Sequence, residues 1–497
     1  MSTTKRPDPR LVRTDDSWLT LPNPYDVPVE ICAGPDVPIE SAAVDELLVV
    51  LETAATLRAL PGAARIDRVV CTPDFHKGAG IPIGTVLQTT GALIPQAVGN
   101  DINCGMRVEA TSLTVDRVRP HLDRLEQHLR HLFFEGGRRI GLTPAHREGL
   151  LREGLPGLLS AGVPSGPDGA WAQVSPGDLA LSGGVHASGH PVASASQFRD
   201  WITSGGGTSY DSIIGSVGGG NHFAELQYVS EVHDGAAAYA WGLVPGRVVL
   251  MVHTGSLSLG HQANSTGLDQ ARALWPAGVP APRNRILPML LDEAGAARRE
   301  KYLTAFANAA NFAIGNRFFL ALMMRAGLAA AVPDEFDSRL VYESPHNLLW
   351  PAPDGTVVHR KGATPAGGAT TQDPFGEPVI VPGSMGAPSH LLRGLGSTRA
   401  LQSACHGAGR SVPRGSASRG GDAELDAFLA EFRVVTPLNH RDPAVAGRRD
   451  ILDAWRRDLK QEAPWAYKEV GPVVRSLTSA DVAMPVAELR PLLTVKG

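Results

Sequence analysis

Residues 405–410 read CHGAGR and lie inside the longer stretch SACHGAGRSVPRG. Two glycines within three residues leave a gap among the side chains, so another backbone or a ligand can come close to His406. An ordinary glycine-rich turn would have the same composition, and short motifs produce many false matches. The choice between a simple turn and a binding loop therefore depends on the surrounding sequence.

The segment around CHGAGR differs in charge from the rest of the chain, which has 46 Lys and Arg against 50 Asp and Glu. No carboxylate occurs between Glu377 and Asp422, yet this segment contains Arg393, Arg399, Arg410, Arg414 and Arg419. Backbone N–H groups of a glycine-rich loop and guanidinium groups both bind phosphate. The segment is therefore suited to receive a phosphate, with His406 placed where the phosphorus atom could be attacked.

The composition indicates a globular chain of 497 residues, of which 43% are hydrophobic. A net charge of −4 argues against wholesale coating of nucleic acid but leaves room for a local basic groove. The beginning of the chain lacks the apolar stretch of a signal peptide. The most apolar segment, FFLALMMRAGLAAAV, is interrupted by Arg325. We therefore expect a soluble, cytoplasmic protein that does not enter a membrane.

Cysteine, glycine and proline usage further narrows the structural class to which the protein could belong. The four cysteines are too few and too scattered for a disulfide scaffold. No CxxC pair is present in the sequence, which argues against a structural zinc ribbon. The 55 glycines and 39 prolines predict many tight turns and irregular loops. This composition is typical of a site assembled from loops on a rigid core.

Hydrophobic periodicity predicts the principal helices and strands. Helices are expected over 44–60, 117–133 and 297–330, and strands over 68–72, 107–115 and 246–256. The glycine-, proline- and serine-rich residues 150–190 are expected to form loops or an insertion, and a partly helical tail follows from about residue 422. The proline-rich residues 1–45 are expected to form an extended lead-in to a domain over 46–497.

Several residues of metal-ligand type lie beside glycines, prolines or predicted strand ends. Asp101 and Cys104 are three apart in VGNDINCGMRV, and Asn221 and His222 follow three glycines; the others are His253, His261, His346 and Asn347. Each alone is more often a hydrogen-bonded structural residue than a ligand. Together, such nitrogen, oxygen and sulfur donors suit zinc, manganese, iron or cobalt, and the residues alone do not choose among these metals.

Ten segments in a fixed order carry a resemblance to a known family. They are DFHKGAGIPIG (74–84), GNDINCGMRV (99–108), GGGNHFAELQ (218–227), HTGSLSLGHQ (253–262), NAANFAIGNR (308–317), HN (346–347), VHRKGATPA (358–366), PVIVPGSMG (378–386), CHGAGR (405–410) and YKEV (467–470). The chain resembles the RtcB family of GTP-dependent RNA-splicing and RNA-repair ligases. The resemblance implies an α+β fold, a single RtcB-like domain with central β-sheets flanked by helices.

The resemblance also implies a role for individual residues. The expected ligands of two Mn²⁺ ions are Asp101, Cys104, His222, His253 and His346, with Cys104 shared between the ions. His406 would be the nucleophile that carries GMP, with GTP as co-substrate. The expected nucleotide pocket consists of Asn221, Phe223, Glu225, Asn347, Pro382, Gly383, Ser384, Met385, Ser389, Gly407, Ala408, Gly409 and Lys468.

The function implied by the resemblance is the joining of RNA ends, in tRNA splicing or RNA repair. The expected substrates are a 3′-phosphate or 2′,3′-cyclic phosphate end and a 5′-hydroxyl end, with a protein activator as a further possible partner. Two alternatives remain open: a metal-dependent phosphoesterase that activates water with the same ligands, and a non-catalytic RNA- or nucleotide-binding paralogue. A covalent nucleotide on His406 distinguishes the ligase from both.

The chain departs from the family pattern next to the expected metal and RNA surfaces. Leu257 and Ser258 stand where the family typically has Arg-Gly, and Lys77 and Ala79 stand where proline and an aromatic residue are usual. Pro345 precedes the His-Asn pair where alanine is usual. None of these positions belongs to the implied ligand set, so the departures bear on the choice of RNA more than on nucleotide chemistry.

Overall fold

The computed structural model describes residues 8–164, 169–175, 178, 193–418, 421–445 and 447–497. Strands in these ranges are numbered β1 to β21 along the chain, and they are assembled into two large sheets and three two-stranded pairs. Helices pack against both large sheets. The predicted α+β class, with central sheets flanked by helices, is confirmed.

The first sheet has seven strands, five from residues 12–90 and two from residues 347–361. Its spatial order is β1 (Val12–Arg13), β2 (Trp18–Thr20), β3 (Val29–Cys32), β4 (Arg65–His76), β5 (Ile83–Thr90), β15 (Thr356–Lys361) and β14 (Asn347–Pro351). All pairings are antiparallel except that of β3 with β4.

The second sheet has eight strands and holds most of the predicted ligand segments at its ends. Its order is β13 (Ser338–Pro345), β7 (Gly105–Thr114), β11 (Arg247–Thr254), β10 (Phe223–Val232), β21 (Ala483–Val495), β18 (Ser389–Gly394) and β17 (Pro378–Val381), with β20 (Arg433–Val435) beside β21. The three two-stranded pairs are β6 (Ala92–Leu93) with β12 (Met289–Leu290), β8 (Gly141–Leu142) with β9 (Ser209–Tyr210), and β16 (Ala363–Pro365) with β19 (Ser403–Cys405).

Helices surround the sheets. The α-helices span Ser41–Ala59, Val115–Val118, Leu122–Phe134, Pro144–Glu153, Leu155–Ser160, Arg199–Thr203, Gly235–Trp241, Leu257–Leu274, Ala296–Ala331, Arg414–Ala417, Asp422–Glu431, Arg449–Gln461 and Val470–Ser479. Short 3₁₀ turns span Pro95–Ala97, Arg119–His121, Gly169–Gln173, Ser196–Phe198 and Pro464–Ala466. The predicted helices and strands are all found, with the 117–133 helix divided by the turn at Pro120.

The helix Ala296–Ala331, called the long helix below, forms the centre of the largest core. It packs on β7 and β11 of the second sheet and on the helices Leu122–Phe134 and Leu257–Leu274. Its length and apolar composition would suffice for a membrane span, but 89% of the most apolar window is buried inside the molecule. Such burial is typical of the core helix of a globular protein.

Residues 150–190 were expected to form loops or an insertion, and the expectation of loops is wrong for 150–153 and 155–160, which are helical. Leu155–Ser160 is helical and packs against Pro144–Glu153. The two helices cross closely because both have a glycine at the contact: a methyl group on Gly149 would lie 2.3 Å from the Gly157 carbonyl oxygen. Glycine here permits helix packing rather than a loop. Residues 165–168, 176–177 and 179–190 of this stretch lie outside the described residues.

The beginning of the chain is part of the first sheet. Strands β1 to β3 extend that sheet beyond β4, and the helix Ser41–Ala59, called the first helix below, packs on β4. The predicted boundary between residues 45 and 46 therefore falls inside the first helix. All four cysteines are buried and unbridged.

Candidate active site

Neighbouring strands of the second sheet bring the five predicted metal ligands together at one edge. Asp101 and Cys104 precede β7, His222 precedes β10, His253 is the penultimate residue of β11, and His346 follows β13. The strand register pairs His253 with Phe223 and pairs Gly105 with Thr254 and Pro345. Because the chain passes from β13 into β14 of the first sheet at His346, the cluster lies at the junction of the two sheets.

The donor atoms of these five residues form two groups that share the thiol of Cys104. One group is Cys104, His253 and His346, and the other is Asp101, Cys104 and His222; within each group the donor atoms all lie within 4.8 Å of one another. Cys104 Sγ is 3.2 Å from His222 Nε2 and 3.3 Å from His253 Nε2. His253 Nε2 is 3.2 Å from His346 Nε2, and His222 Nε2 is 2.9 Å from Asp101 Oδ2.

The electrostatics of the cluster favour cation binding. Burial, reinforced by neighbouring histidines, lowers the pKa values of His253 and His346 well below the usual range, so both imidazoles are neutral donors. Burial and the Asp101 carboxylate raise the pKa of the Cys104 thiol, so a thiolate here requires a bound cation. The His222 Nδ1–H group donates to the Val217 carbonyl at 3.1 Å, which leaves Nε2 free to coordinate.

This donor set fits transition-metal ions. Three imidazoles, one thiolate and one carboxylate suit a borderline divalent metal such as manganese, iron, cobalt or zinc. Two groups with one shared thiol are the arrangement that a bridging cysteine between two ions would need. All five sequence-predicted ligands are thus brought together, and their role as ligands stays a prediction.

A buried arginine that the sequence reasoning missed fixes the backbone beside two of these ligands. Arg317 of the long helix donates to the carbonyl oxygens of Asn103 and Thr254 at 2.6 and 2.9 Å and pairs with Glu343 at 2.8 Å. Its guanidinium also donates to the Asn103 side chain at 2.8 Å. Asn103 precedes Cys104, and Thr254 follows His253. Charge-assisted bonds of this kind hold both ligand segments against one rigid helix.

His406 lies beside the cluster and contacts a carboxylate that the sequence reasoning also missed. The His406 and His346 ring centroids are 4.6 Å apart. On its other side, His406 Nδ1 is 2.6 Å from Asp74 Oδ2, although the oxygen lies off the N–H axis of a regular hydrogen bond. Burial alone would raise the pKa of the Asp74 carboxyl, but His406, the Thr72 hydroxyl and His76 together outweigh burial and lower it. Asp74 is therefore a charged, fully buried group in close contact with the His406 ring.

The glycine at position 409 is required by close backbone packing. Gly409 has φ of +75°, and a methyl group there would lie 2.4 Å from the Asp74 carbonyl oxygen. Gly407 differs, because a methyl group there would meet nothing closer than 3.7 Å. The glycines of CHGAGR therefore do two things: Gly409 lets the loop approach Asp74, and Gly407 leaves space beside His406.

His406 and the ligand cluster border a cavity of about 600 Å³. Most of the predicted nucleotide residues also line it: Asn221, Phe223, Asn347, Pro382, Gly383, Ser384, Met385, Gly407, Ala408 and Gly409. Glu225, Ser389 and Lys468 are not among the lining residues. Ser389 and Glu225 lie one layer behind, where the amide of Gln227 bridges them at 3.0 and 2.5 Å.

Two lysines near the end of the chain have different positions. The buried Lys468 ammonium donates to the carbonyl oxygens of Phe75 and Pro73 at 2.9 and 3.3 Å, away from the cavity, and its nucleotide role stays a prediction. Lys496 lines the cavity and donates to the backbone carbonyl of His222 at 2.9 Å. Burial lowers the pKa of Lys496 to about 8. Lys496 was not predicted, because no motif surrounds it in the sequence.

The cavity also has a cluster of cations around one buried carboxylate. Arg410 and Arg414 both lie 3.4 Å from Glu462, and the Lys496 ammonium lies 3.9 Å from it. Three positive groups against one negative group leave this part of the wall electropositive, as the phosphate hypothesis requires. The other two described arginines of the carboxylate-free segment point elsewhere: Arg393 pairs with Asp234, and Arg399 pairs with Asp15 and Glu30.

Leu257, one of the departures from the family pattern, supports the cluster through its backbone. Its N–H group is 3.3 Å from Asp101 Oδ1, which also accepts from the Ser256 N–H at 2.9 Å. Leu257 has φ of +50°, and its side chain packs towards Gly218 instead of lining the cavity.

The fold and the site describe an α+β protein whose imidazole, thiolate and carboxylate groups could hold metal ions at the end of a cavity. Residues 53–497 match the model of the family described as tRNA-splicing ligase RtcB. The chain therefore belongs to the RtcB family.

Named relatives match almost the whole chain. A protein of Thermococcus kodakarensis, named tRNA-splicing ligase RtcB, is 34% identical over 472 residues that cover 90% of this chain and 91% of the relative. An RNA-splicing ligase RtcB of Mycobacterium tuberculosis is 33% identical, with 88% and 98% covered. RNA-splicing ligase RtcB homolog 1 of Entamoeba histolytica is 30% identical, with 89% and 82% covered.

Proposed function

We propose that this protein is an RNA ligase that joins a 3′-phosphate or 2′,3′-cyclic phosphate end of RNA to a 5′-hydroxyl end, in tRNA splicing or RNA repair. In this proposal GTP is the co-substrate and His406 carries GMP as a covalent intermediate. The observation that supports it best is the position of His406. It lies between a buried carboxylate and the ligand cluster, and it faces a cavity with an electropositive wall.

The first step forms the covalent intermediate. The Asp74 carboxylate keeps the proton of the His406 ring on Nδ1, so the lone pair of Nε2 is available for attack. Nε2 attacks the α-phosphorus of GTP, a P–N bond forms, and the bond to pyrophosphate breaks. Arg410, Arg414 and Lys496, which gather around Glu462, would stabilise the leaving pyrophosphate. Two Mn²⁺ ions held by the ligand cluster would withdraw charge from the phosphoryl oxygens.

The next steps transfer GMP and join the RNA. An oxygen of the RNA 3′-phosphate attacks the phosphorus of the His406 adduct, the P–N bond breaks, and a GMP-capped RNA end forms. The 5′-hydroxyl of the second fragment then attacks the former 3′-phosphate, loses its proton and displaces GMP. A 2′,3′-cyclic phosphate is first opened by water to a 3′-phosphate.

A labelling experiment tests this proposal against a metal-dependent phosphoesterase. The protein is incubated with Mn²⁺ and GTP labelled at the α-phosphate, and in parallel with GTP labelled at the γ-phosphate. We expect acid-labile label on the chain from the first nucleotide only, because pyrophosphate leaves. A phosphoesterase releases products without labelling the chain, and a binding protein leaves the nucleotide intact.

The contact between Asp74 and His406 leads to a first prediction. Asp74→Asn removes the charge that holds the ring proton on Nδ1, so we expect adduct formation to slow by about a hundredfold, in the range of lost acid–base assistance. The measurement is the single-turnover rate of labelling by GTP. Asp67→Asn on the same strand is the matched control, and an equal rate in the Asp74 and Asp67 variants would contradict the orienting role.

A further inference from the structure

The rim of the cavity contains a cation outside the Glu462 cluster. Lys77 lines the cavity from the loop 77–82 between β4 and β5, called the β4–β5 loop below. Arg410, Arg414 and Lys496, the other lining residues with positive charge, gather around Glu462. No carboxylate among the described residues forms an ion pair with the Lys77 ammonium. Lys77 is thus a lining cation without an ion-pair partner among the described residues, although the Glu40 carboxylate also lines the cavity and accepts from the Lys77 backbone N–H.

The β4–β5 loop lies at the mouth of the cavity. Lys77 and Ala79 are exposed although they line the cavity, whereas His406 is only 8% exposed and Cys104 only 4%. The segments predicted to bind nucleotide, 382–385 and 407–409, belong to other parts of the wall. The exposed part of the cavity rim also includes Pro413 and Arg414 on another loop. An RNA strand that enters across this rim carries a phosphate at each nucleotide.

A carboxylate of the first helix holds this loop in place. Glu46 accepts from the Gly78 N–H through Oε2 and from the Gly80 N–H through Oε1, both at 2.6 Å. Charge-assisted bonds of this length are among the strongest that an exposed loop can make. Glu40 engages the backbone N–H of Lys77 at 3.4 Å instead of its ammonium. The backbone is therefore anchored on both sides of Lys77, while the side chain stays available.

The anchored loop has a conformation that needs its glycines. Gly80 has φ of +87°, and a methyl group on Gly78 would lie 2.2 Å from the Ile81 carbonyl oxygen. The same carbonyl accepts from the Lys361 ammonium at 2.8 Å. A tight turn fixed at both ends presents Lys77 with less conformational freedom than a lysine on a mobile loop would have.

We propose that Lys77 binds a backbone phosphate of the RNA strand at the mouth of the cavity, and that Glu46 positions it. This inference rests on the proposed RNA-ligase function and names a residue that selects for a polyanionic strand. Lysine binds phosphate as a point charge, so the contact requires a phosphate backbone but no particular base.

Direct RNA binding tests the role of Lys77. The probe is a fluorescent single-stranded RNA with a 3′-phosphate, titrated with the whole protein at several salt concentrations. We expect Lys77→Met to weaken binding about tenfold, the effect of one lost charge-assisted contact. The slope of log affinity against log salt should fall by about 0.7, the value for one phosphate of a single strand. Lys77→Arg should remain near wild type, and Lys301→Met, at an exposed lysine of the long helix, is the matched control.

Two outcomes would overturn the assignment. Unchanged affinity and salt slope in Lys77→Met would show that the ammonium contacts no RNA phosphate. An unchanged RNA affinity with a raised KM for GTP in the labelling reaction would show that the phosphate belongs to the nucleotide. RNA binding requires no covalent chemistry, so a protein that binds RNA through Lys77 but never forms the GMP adduct would refute the ligase proposal alone.

A double-mutant cycle tests the positioning role of Glu46. Glu46→Gln keeps one acceptor oxygen and loses the other, so one of the two loop bonds is lost. We expect RNA binding to weaken about threefold in the wild-type background and not at all in the Lys77→Met background, because coupled residues are non-additive. Equal losses in both backgrounds would show that Glu46 does not act through Lys77.

Discussion

Replacing His406 with alanine is expected to remove the covalent GMP adduct entirely. Alanine has no lone pair to attack phosphorus, so the loss should exceed that of any variant that only misorients the ring. The measurement is acid-labile label retained on the chain after incubation with α-labelled GTP and Mn²⁺. The matched control is His261→Ala, because His261 belongs to the motif HTGSLSLGHQ but is exposed on the helix Leu257–Leu274.

The structure adds a stability check to this experiment. The His406 imidazole borders the cavity, so its removal opens no void in a hydrophobic core. It does leave the buried Asp74 carboxylate with the Thr72 hydroxyl as its side-chain donor, at 2.5 Å. We therefore expect His406→Ala to lower the free energy of unfolding by about 1–3 kcal/mol, the cost of a buried group that loses a partner. Label at the wild-type rate in a folded variant would assign the nucleophile to another residue.

The elements that were predictable from the sequence are those with a local signal. The helix at 44–60 follows from apolar spacing, because one face of it is buried in the core. The strand through His253 follows from its continuous apolar run, because both of its faces are buried. The residues of metal-ligand type were recognisable because each lies beside a strand end or a glycine, where side chains of neighbouring strands converge. Their grouping around one thiol required the strand register, which the sequence does not contain.

The residues that were not predicted from the sequence contact partners that are far away along the chain. Asp74 lies in a quoted motif, but its partner His406 is more than three hundred residues away, and a single carboxylate gives no sign of the imidazole that it faces. Arg317 was quoted only as the end of NAANFAIGNR, although it bonds to the backbone beside two ligands. Glu462 lies outside the carboxylate-free segment, yet it forms ion pairs with Arg410 and Arg414 of that segment. Pairing of this kind depends on tertiary structure rather than on local pattern.

The second large effect is expected at Cys104, because its thiol belongs to both groups of donor atoms. His222 and Asp101 belong to one group, and His253 and His346 belong to the other. Removing a ligand that only one group contains should weaken one ion, whereas Cys104→Ala should weaken both. We therefore expect about one metal ion per chain to be lost in His222→Ala or in His346→Ala, and both ions to be lost in Cys104→Ala.

Metal content per chain, measured by elemental analysis after loading with Mn²⁺ and dialysis, decides between a shared and an unshared thiol. Cys71→Ala, at a buried cysteine of β4 outside the cluster, controls for the loss of a thiol from the interior. Retention of one ion in Cys104→Ala, as in either histidine variant, would contradict the shared thiol.

Loss of both ions would carry a further consequence. Burial and the Asp101 carboxylate oppose a free thiolate at Cys104, so a bound cation must supply the charge that deprotonates the thiol. Metal binding therefore releases the thiol proton, and we expect metal affinity to rise with pH.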